Sequence, residues 1–186
     1  AIYIYRGTRS KKVYIGQTMH FIERHKQHYN GMEEKFSTAD FNKVIVIFSV
    51  YFNRSAMDDV ESQLITYFMA DNSKKAGAVS FDHDDVINRT GGNSVNEYVG
   101  RENVASDVIL PLWEKELWSR GWVSSSTLEE LRTKELVKYS PIKQLTPEQG
   151  QLITEIIHNP DRNYVINGDA GTGKTVLLTH LVASIL

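Results

Sequence analysis

Two runs of β-forming residues stand so close together at the start of the chain that they can pair only as a hairpin. Ile2-Tyr3-Ile4-Tyr5-Arg6 and Lys12-Val13-Tyr14-Ile15 flank Gly7-Thr8-Arg9-Ser10. β-Branched and aromatic side chains suit a pleated surface, and the intervening residues supply the turn, with Gly7 its flexible position. Parallel pairing would need a far longer crossover. Tyr3 and Tyr5 share parity and so point to one face of their strand.

The pattern then predicts a helix over about 20–30, a loop from Phe36 to Asn42, and a buried central strand over Val44–Phe52, where apolar, β-branched residues run nearly unbroken. Val60, Leu64, Ile65 and Phe68 recur at helical spacing and predict a helix over 57–70. Residues 71–95 read as loop-rich and end in Asn88-Arg89-Thr90-Gly91-Gly92-Asn93. The order is β-β-α-β-α followed by a tail. From about 104 to 138 the pattern becomes helical, with Leu110, Leu112, Trp113, Leu117, Trp118 and Trp122 as its expected core; Ser124–Thr127 reads as a break and helix cap, and Pro141 as a boundary. Thr146, Pro147 and Gln149 form a capping pattern for a helix running to about His158. Tyr164-Val165-Ile166-Asn167 reads as a short buried strand, and Val176–Leu186 as an apolar helix.

Composition excludes several classes. Hydrophobic residues make up 41 % of the 186 and charged residues 24 %, an ordinary globular balance. No apolar run reaches the roughly 18 residues of a membrane helix, and the first residues lack a signal-peptide shape. The chain has no cysteine, which removes disulfides and thiolate zinc sites and fits a cytoplasmic protein. Net charge is −2, so no strongly basic coat exists. Residues 1–30 nevertheless hold Arg6, Arg9, Lys11, Lys12, Arg24 and Lys26 against the single acid Glu23, which reads either as a local phosphate-binding face or as a solvated hairpin tip.

Ala1-Ile2-Tyr3, ten further residues, and Tyr14-Ile15-Gly16-Gln17-Thr18 resemble the paired motif of the GIY-YIG nucleases, with alanine in place of the family's first glycine. Either Tyr3 or Tyr5 fills the first tyrosine position. Arg24 and His28 on one helical face, Glu61 in Val60-Glu61-Ser62-Gln63-Leu64-Ile65, and Asn88 before Arg89-Thr90-Gly91-Gly92 are similar to the family's later motifs. The resemblance covers about residues 1–95 and rests on the order of the set. It implies an α/β (α+β) nuclease domain over 1–98, with a central antiparallel sheet flanked by helices.

It also implies chemistry. Phosphodiester hydrolysis needs an activated water, neutralised non-bridging oxygens and a stabilised leaving oxygen. Glu61 would ligate Mg²⁺ or Mn²⁺, Arg24 would bind the scissile phosphate, and Tyr3, Tyr14 or His28 would handle the proton. DNA is the implied partner, and no membrane is. Taken singly, Tyr3 reads as packing, Arg24 as a surface ion pair and Glu61 as a solvated helix position. A zinc reading of His20, His25 and His28 lacks further ligands, and Asp82-His83-Asp84-Asp85 reads as an acidic loop.

Gly168-Asp169-Ala170-Gly171-Thr172-Gly173-Lys174-Thr175 fits the phosphate-loop pattern G-x-x-x-x-G-K-[ST] without mismatch. Gly168, Gly171 and Gly173 let backbone N–H groups approach phosphates, Lys174 can reach the β- and γ-phosphates, and Thr175 can ligate Mg²⁺. Leu145-Thr146-Pro147-Glu148-Gln149 resembles the adenine-reading segment of superfamily-one helicases and related ATPases; Gln149 reads equally as a capping residue. The expectation is a helical linker over 99–140 and the first strand-loop-helix of a P-loop domain over 141–186, in a fragment of a longer nuclease–ATPase. ATP would bind the full-length domain, and ATP hydrolysis is not expected of this stretch alone. Such fusions suggest DNA processing or defence against foreign DNA. An alternative is a catalytically silent DNA-targeting module attached to an ATPase, and a third reading is a plain ATPase or helicase with a structural N-terminus. Self-association through 104–138 would make a homo-oligomer; a small local core there is the plainer reading.

Overall fold

A computed structural model describes residues 1–30, 36, 40–72, 81, 85–87, 98–134, 137, 147–169 and 172–185. Strands β1 (Ile2–Arg6), β2 (Val13–Gln17) and β3 (Lys43–Ile47) form an antiparallel sheet in the order β2-β1-β3. Helix α1 (Phe21–Tyr29) covers one face and α2 (Arg54–Ala70) the other. Asn53 caps α2 by accepting from Ala56 N–H at 2.9 Å.

The hairpin forms as expected, but its strained residue is not Gly7. Lys11 adopts the left-handed conformation (φ 60°), while Gly7 N–H closes the turn on Lys12 O at 2.9 Å. The central strand is β1, not the 44–52 run. Register explains this: Ile2, the first residue of β1, pairs with Ile47, and Ala1 bonds Thr18 on the other side instead of Phe48. Phe48 and Val50 are 75 % and 96 % exposed, and β3 lies at the sheet edge. At the other edge Val13 pairs with Val86, its N–H bonding Asp85 O at 2.8 Å.

Alternation divides the sheet chemically. Ile2, Ile4, Val13 and Ile15 face α2 and the main core. Tyr3, Tyr5 and Tyr14 face α1 and form a second, aromatic cluster with Phe36 and Phe41. Arg6 shares the parity of Ile2 and Ile4 and is buried. Its guanidinium lies 4.6 Å from the Phe81 ring centroid and donates to Lys11 O. Burial lowers its pKa, opposed by Asp85. Arg6 is therefore a hairpin brace rather than part of a basic phosphate-binding face.

Helix α2 is buried along most of its length because it is covered twice. Beyond it lie α3 (Arg101–Val104), wide π-helical turns over Ala105–Ile109 and Leu112–Leu117, and α4 (Leu128–Arg132). Trp113 packs edge-on against Phe68 and Tyr67, and its indole N–H bonds Ser125 O at 3.1 Å. Leu112, Trp113, Leu117 and Trp122 are core residues as expected. Leu110 and Trp118 are 37 % and 48 % exposed: the π turns widen the helical repeat and rotate these two positions outward.

Two buried carboxylates fasten this layer. Asp59 accepts from Tyr98 OH at 2.8 Å and pairs with Arg101. Asp71, fully buried at the end of α2, accepts from the backbone N–H and hydroxyl of both Ser124 and Ser125 at 2.7–2.9 Å. Ser124 and Ser125 are thus anchored within the expected break, and Thr127 caps α4.

Helices α5 (Pro147–His158) and α6 (Lys174–Ile185) pack on each other. The expected buried strand 164–167 does not form. No described residue offers it a ladder partner, and Val165 is 85 % exposed. Pro141, Thr146 and Asp82-His83-Asp84 lie outside the described residues. Among the described residues no helix is long and apolar enough to cross a membrane.

Candidate active site

The aromatic face of the sheet and α1 bring four expected residues together. Tyr3 comes from β1, Tyr14 from β2, and Arg24 and His28 from successive turns of α1. Tyr3 and Tyr14 stack with ring centroids 6.2 Å apart. Tyr3 OH shares a buried hydrogen bond with His28 Nε2 at 3.0 Å. The Arg24 guanidinium lies near enough to the hydroxyls of both Tyr3 and Tyr14 to act on their electrostatics. It donates to Gln27 Oε1 at 3.2 Å.

Gly16 is required by this arrangement. A Cβ there would stand 2.5 Å from Cζ and Oη of Tyr3, because the Tyr3 ring lies across the glycine on the neighbouring strand. Tyr5 takes a different place: its hydroxyl bonds His25 Nδ1 at 2.6 Å, and its ring packs among Tyr29, Phe36 and Phe41. The two tyrosines thus share a face but have separate histidine partners.

Glu61 arrives from α2, beyond the sheet. It is only 6 % exposed and lies near enough to Tyr3 to act on its titration. The reading of Glu61 as a solvated helix position does not hold, since α2 packs it against the sheet. Gln17, at the end of β2, donates to Glu61 Oε2 at 2.9 Å and also to Asp58 Oδ1. Nothing in the composition marked Gln17 or Asp58. The available signals were the helical spacing of Asp58 and Glu61 and the position of Gln17 directly after Gly16.

Burial dominates the electrostatics. It raises Glu61 from 4.5 to about 7, opposed by the Gln17 hydrogen bond and reinforced by Asp58. It also pushes Tyr3 well above the ordinary phenol range, reinforced by Tyr14 and partly offset by Arg24. Burial pulls Arg24 down, but its contacts with Tyr3 and Tyr14 prevail and raise it.

These features coincide with a family. Residues 1–75 match the GIY-YIG catalytic domain. A domain of this family implies an endonuclease fold and a DNA substrate. No curated protein and no solved structure matches the chain.

The GIY-YIG domain presents a donor set suited to a hard divalent ion. Glu61 offers carboxylate oxygen, with half-buried Asp58 one turn away. Among the described residues no three His, Asp or Glu side chains gather as a metal cage. A single carboxylate fits Mg²⁺, which keeps several waters and binds through one or two protein oxygens. His25 and His28 are engaged with tyrosines, and His20 is exposed. Asn88 lies outside the described residues.

The second expected site is a separate cluster. Lys174 Nζ donates to Gly168 O at 2.6 Å and Asp169 O at 2.8 Å. Gln149 Nε2 donates to Thr172 O at 2.9 Å, and Gly173 adopts φ 82° beside it. Thr175 is exposed in the first turn of α6. Gly171 lies outside the described residues. This segment also lies beyond the family match.

Proposed function

We propose that the chain is a divalent-metal-dependent endonuclease that hydrolyses DNA phosphodiester bonds at the Tyr3–Tyr14–Arg24–His28–Glu61 cluster. What supports the reading is the grouping of Tyr3, Tyr14, Arg24 and His28 from β1, β2 and α1, with Glu61 of α2 near enough to Tyr3 to act on its titration. Glu61 would hold Mg²⁺ or Mn²⁺. When bound, the ion supplies positive charge to the phosphate and the leaving oxygen.

Arg24 is placed as a phosphate clamp: its guanidinium sits beside the Tyr3 and Tyr14 hydroxyls, and its N–H groups can turn to non-bridging phosphate oxygens. Tyr3 is the first motif tyrosine, favoured over Tyr5 by its contact with Gly16, Arg24 and His28. Burial disfavours a free phenolate at Tyr3. Its hydroxyl acts instead as a relay, accepting a proton from the attacking water as it gives its own to His28 Nε2. Tyr14 orients Arg24.

The nuclease unit extends to about residue 134, because the core formed by 104–131 is continuous with that of α2. Residues 168–175 would serve as a nucleotide-phosphate contact. The support is the phosphate-loop pattern of the sequence, with Lys174 and Thr175 opening α6. A silent DNA-targeting module is the alternative, but a buried carboxylate with a raised pKa is a costly residue to keep in a module without chemistry.

The test is cleavage of plasmid, linear, single-stranded and branched DNA in Mg²⁺ or Mn²⁺, beside Glu61→Gln and Lys174→Ala. Metal-dependent cleavage lost only in Glu61→Gln is the expected result. Cleavage by folded Glu61→Gln at the parent rate would refute the assignment.

A further inference from the structure

Gln17 occupies a position that the chemistry above does not use. It is the last residue of β2 and shares the parity of Val13 and Ile15, so its side chain leaves the aromatic face and reaches toward α2. Its single amide nitrogen donates to two carboxylates, to Glu61 Oε2 at 2.9 Å and to Asp58 Oδ1. Asp58 and Glu61 are three residues apart on one face of α2, where two carboxylates repel. A primary amide carries two N–H groups and no charge. It can therefore hold both anions together without neutralising either.

We propose that Gln17 is a positioning residue for the metal ligand and that Asp58 supplies a second negative charge to the ion's water shell. This rests on the reading of Glu61 as that ligand. Gln17 fixes Oε2, so the carboxylate presents Oε1, which accepts no hydrogen bond among the described residues. It also links the two halves of the site. Gly16 seats the Tyr3 ring, and the next residue fixes Glu61. A displacement at the end of β2 would then move the phosphate-binding and metal-binding groups together. Asp58 is only half buried and accepts from the same Gln17 amide as Glu61, so its charge stands beside the Glu61 carboxylate.

The direct readout is Mn²⁺ binding by the full chain without DNA, followed by the electron paramagnetic resonance signal of free Mn²⁺. The variants are Gln17→Met, Asp58→Asn and Glu61→Gln, each checked for fold by circular dichroism. Methionine keeps the length of Gln17 and removes both donors. Gln17→Met is expected to weaken Mn²⁺ binding about tenfold, the lower end of the effect of losing a group that orients a metal ligand. Asp58→Asn is expected to weaken it roughly threefold, the scale of one half-exposed charge pair. In both variants cleavage should recover as Mn²⁺ is raised, with KM for DNA unchanged; a merely structural role would not give that recovery. If both bind Mn²⁺ like the parent while Glu61→Gln does not, the positioning role is refuted and the ligand assignment survives. If Glu61→Gln binds Mn²⁺ like the parent, both fall together. Should Gln17→Met fail to fold, Asp58→Asn alone decides.

Discussion

Glu61→Gln should separate the catalytic use of this carboxylate from its effect on folding. Burial raises its pKa from 4.5 to about 7, so the folded chain holds this proton more tightly than the unfolded one. The sign follows from linkage. Between pH 4.5 and 7 the native state binds more protons at this position, so its contribution to stability falls as pH rises, and above about 7 the penalty is complete. At about 1.4 kcal/mol per pH unit, the rise makes the penalty about 3 kcal/mol at pH 8. Glutamine matches the shape, keeps an acceptor for Gln17 and carries no charge. Urea unfolding in EDTA should therefore find the variant more stable than the parent by about 3 kcal/mol at pH 8. The gap should close as pH approaches 4.5, and the stabilised variant should have lost cleavage. Parallel stability curves for the two proteins across this range would refute the buried-carboxylate argument.

Gly16→Ala should displace the Tyr3 ring by its 2.5 Å overlap. Cleavage should drop about 10²-fold, with about 1–3 kcal/mol lost in denaturant titration. Tyr3→Phe removes the hydroxyl shared by His28 and Arg24 but keeps the ring. It should lower kcat about 10²-fold or more at unchanged fold, and activity at the parent level would exclude the relay. Asp71→Ala strands four donors of Ser124 and Ser125 and should cost about 3 kcal/mol or more in urea unfolding, far from the site. Lys11→Gly should stabilise the chain by about 1 kcal/mol, because glycine adopts φ 60° without the clash a side chain brings; a loss of melting temperature would contradict this.

The elements of the first seventy residues are legible because their signals are local. A short turn between two β-rich runs forces the hairpin, and period two puts Tyr3, Tyr5 and Tyr14 on one face of it. Helical spacing aligns Arg24 with His28. Local patterns also mislead. The 44–52 run has the composition of a buried central strand, yet register against β1 ends it at Ile47 and leaves it at an edge. Residues 164–167 have strand composition but no partner among the described residues. Arg6 counted as one more cation until alternation turned it into the core.

What the sequence determined by itself is the set of residues that pairing and helical period place side by side. Tertiary structure alone decided the rest. Glu61 is buried because α2 sets it against the sheet, beside Gln17 and near Tyr3. Gln17 meets Asp58 and Glu61 across separations of 41 and 44 residues. Asp71 finds its serines 53 and 54 residues away. A local pattern reports which way a side chain points from its own element. The neighbour it meets there, and whether water remains between them, depends on how distant elements pack, and those contacts set the pKa of Glu61 and the place of Tyr3.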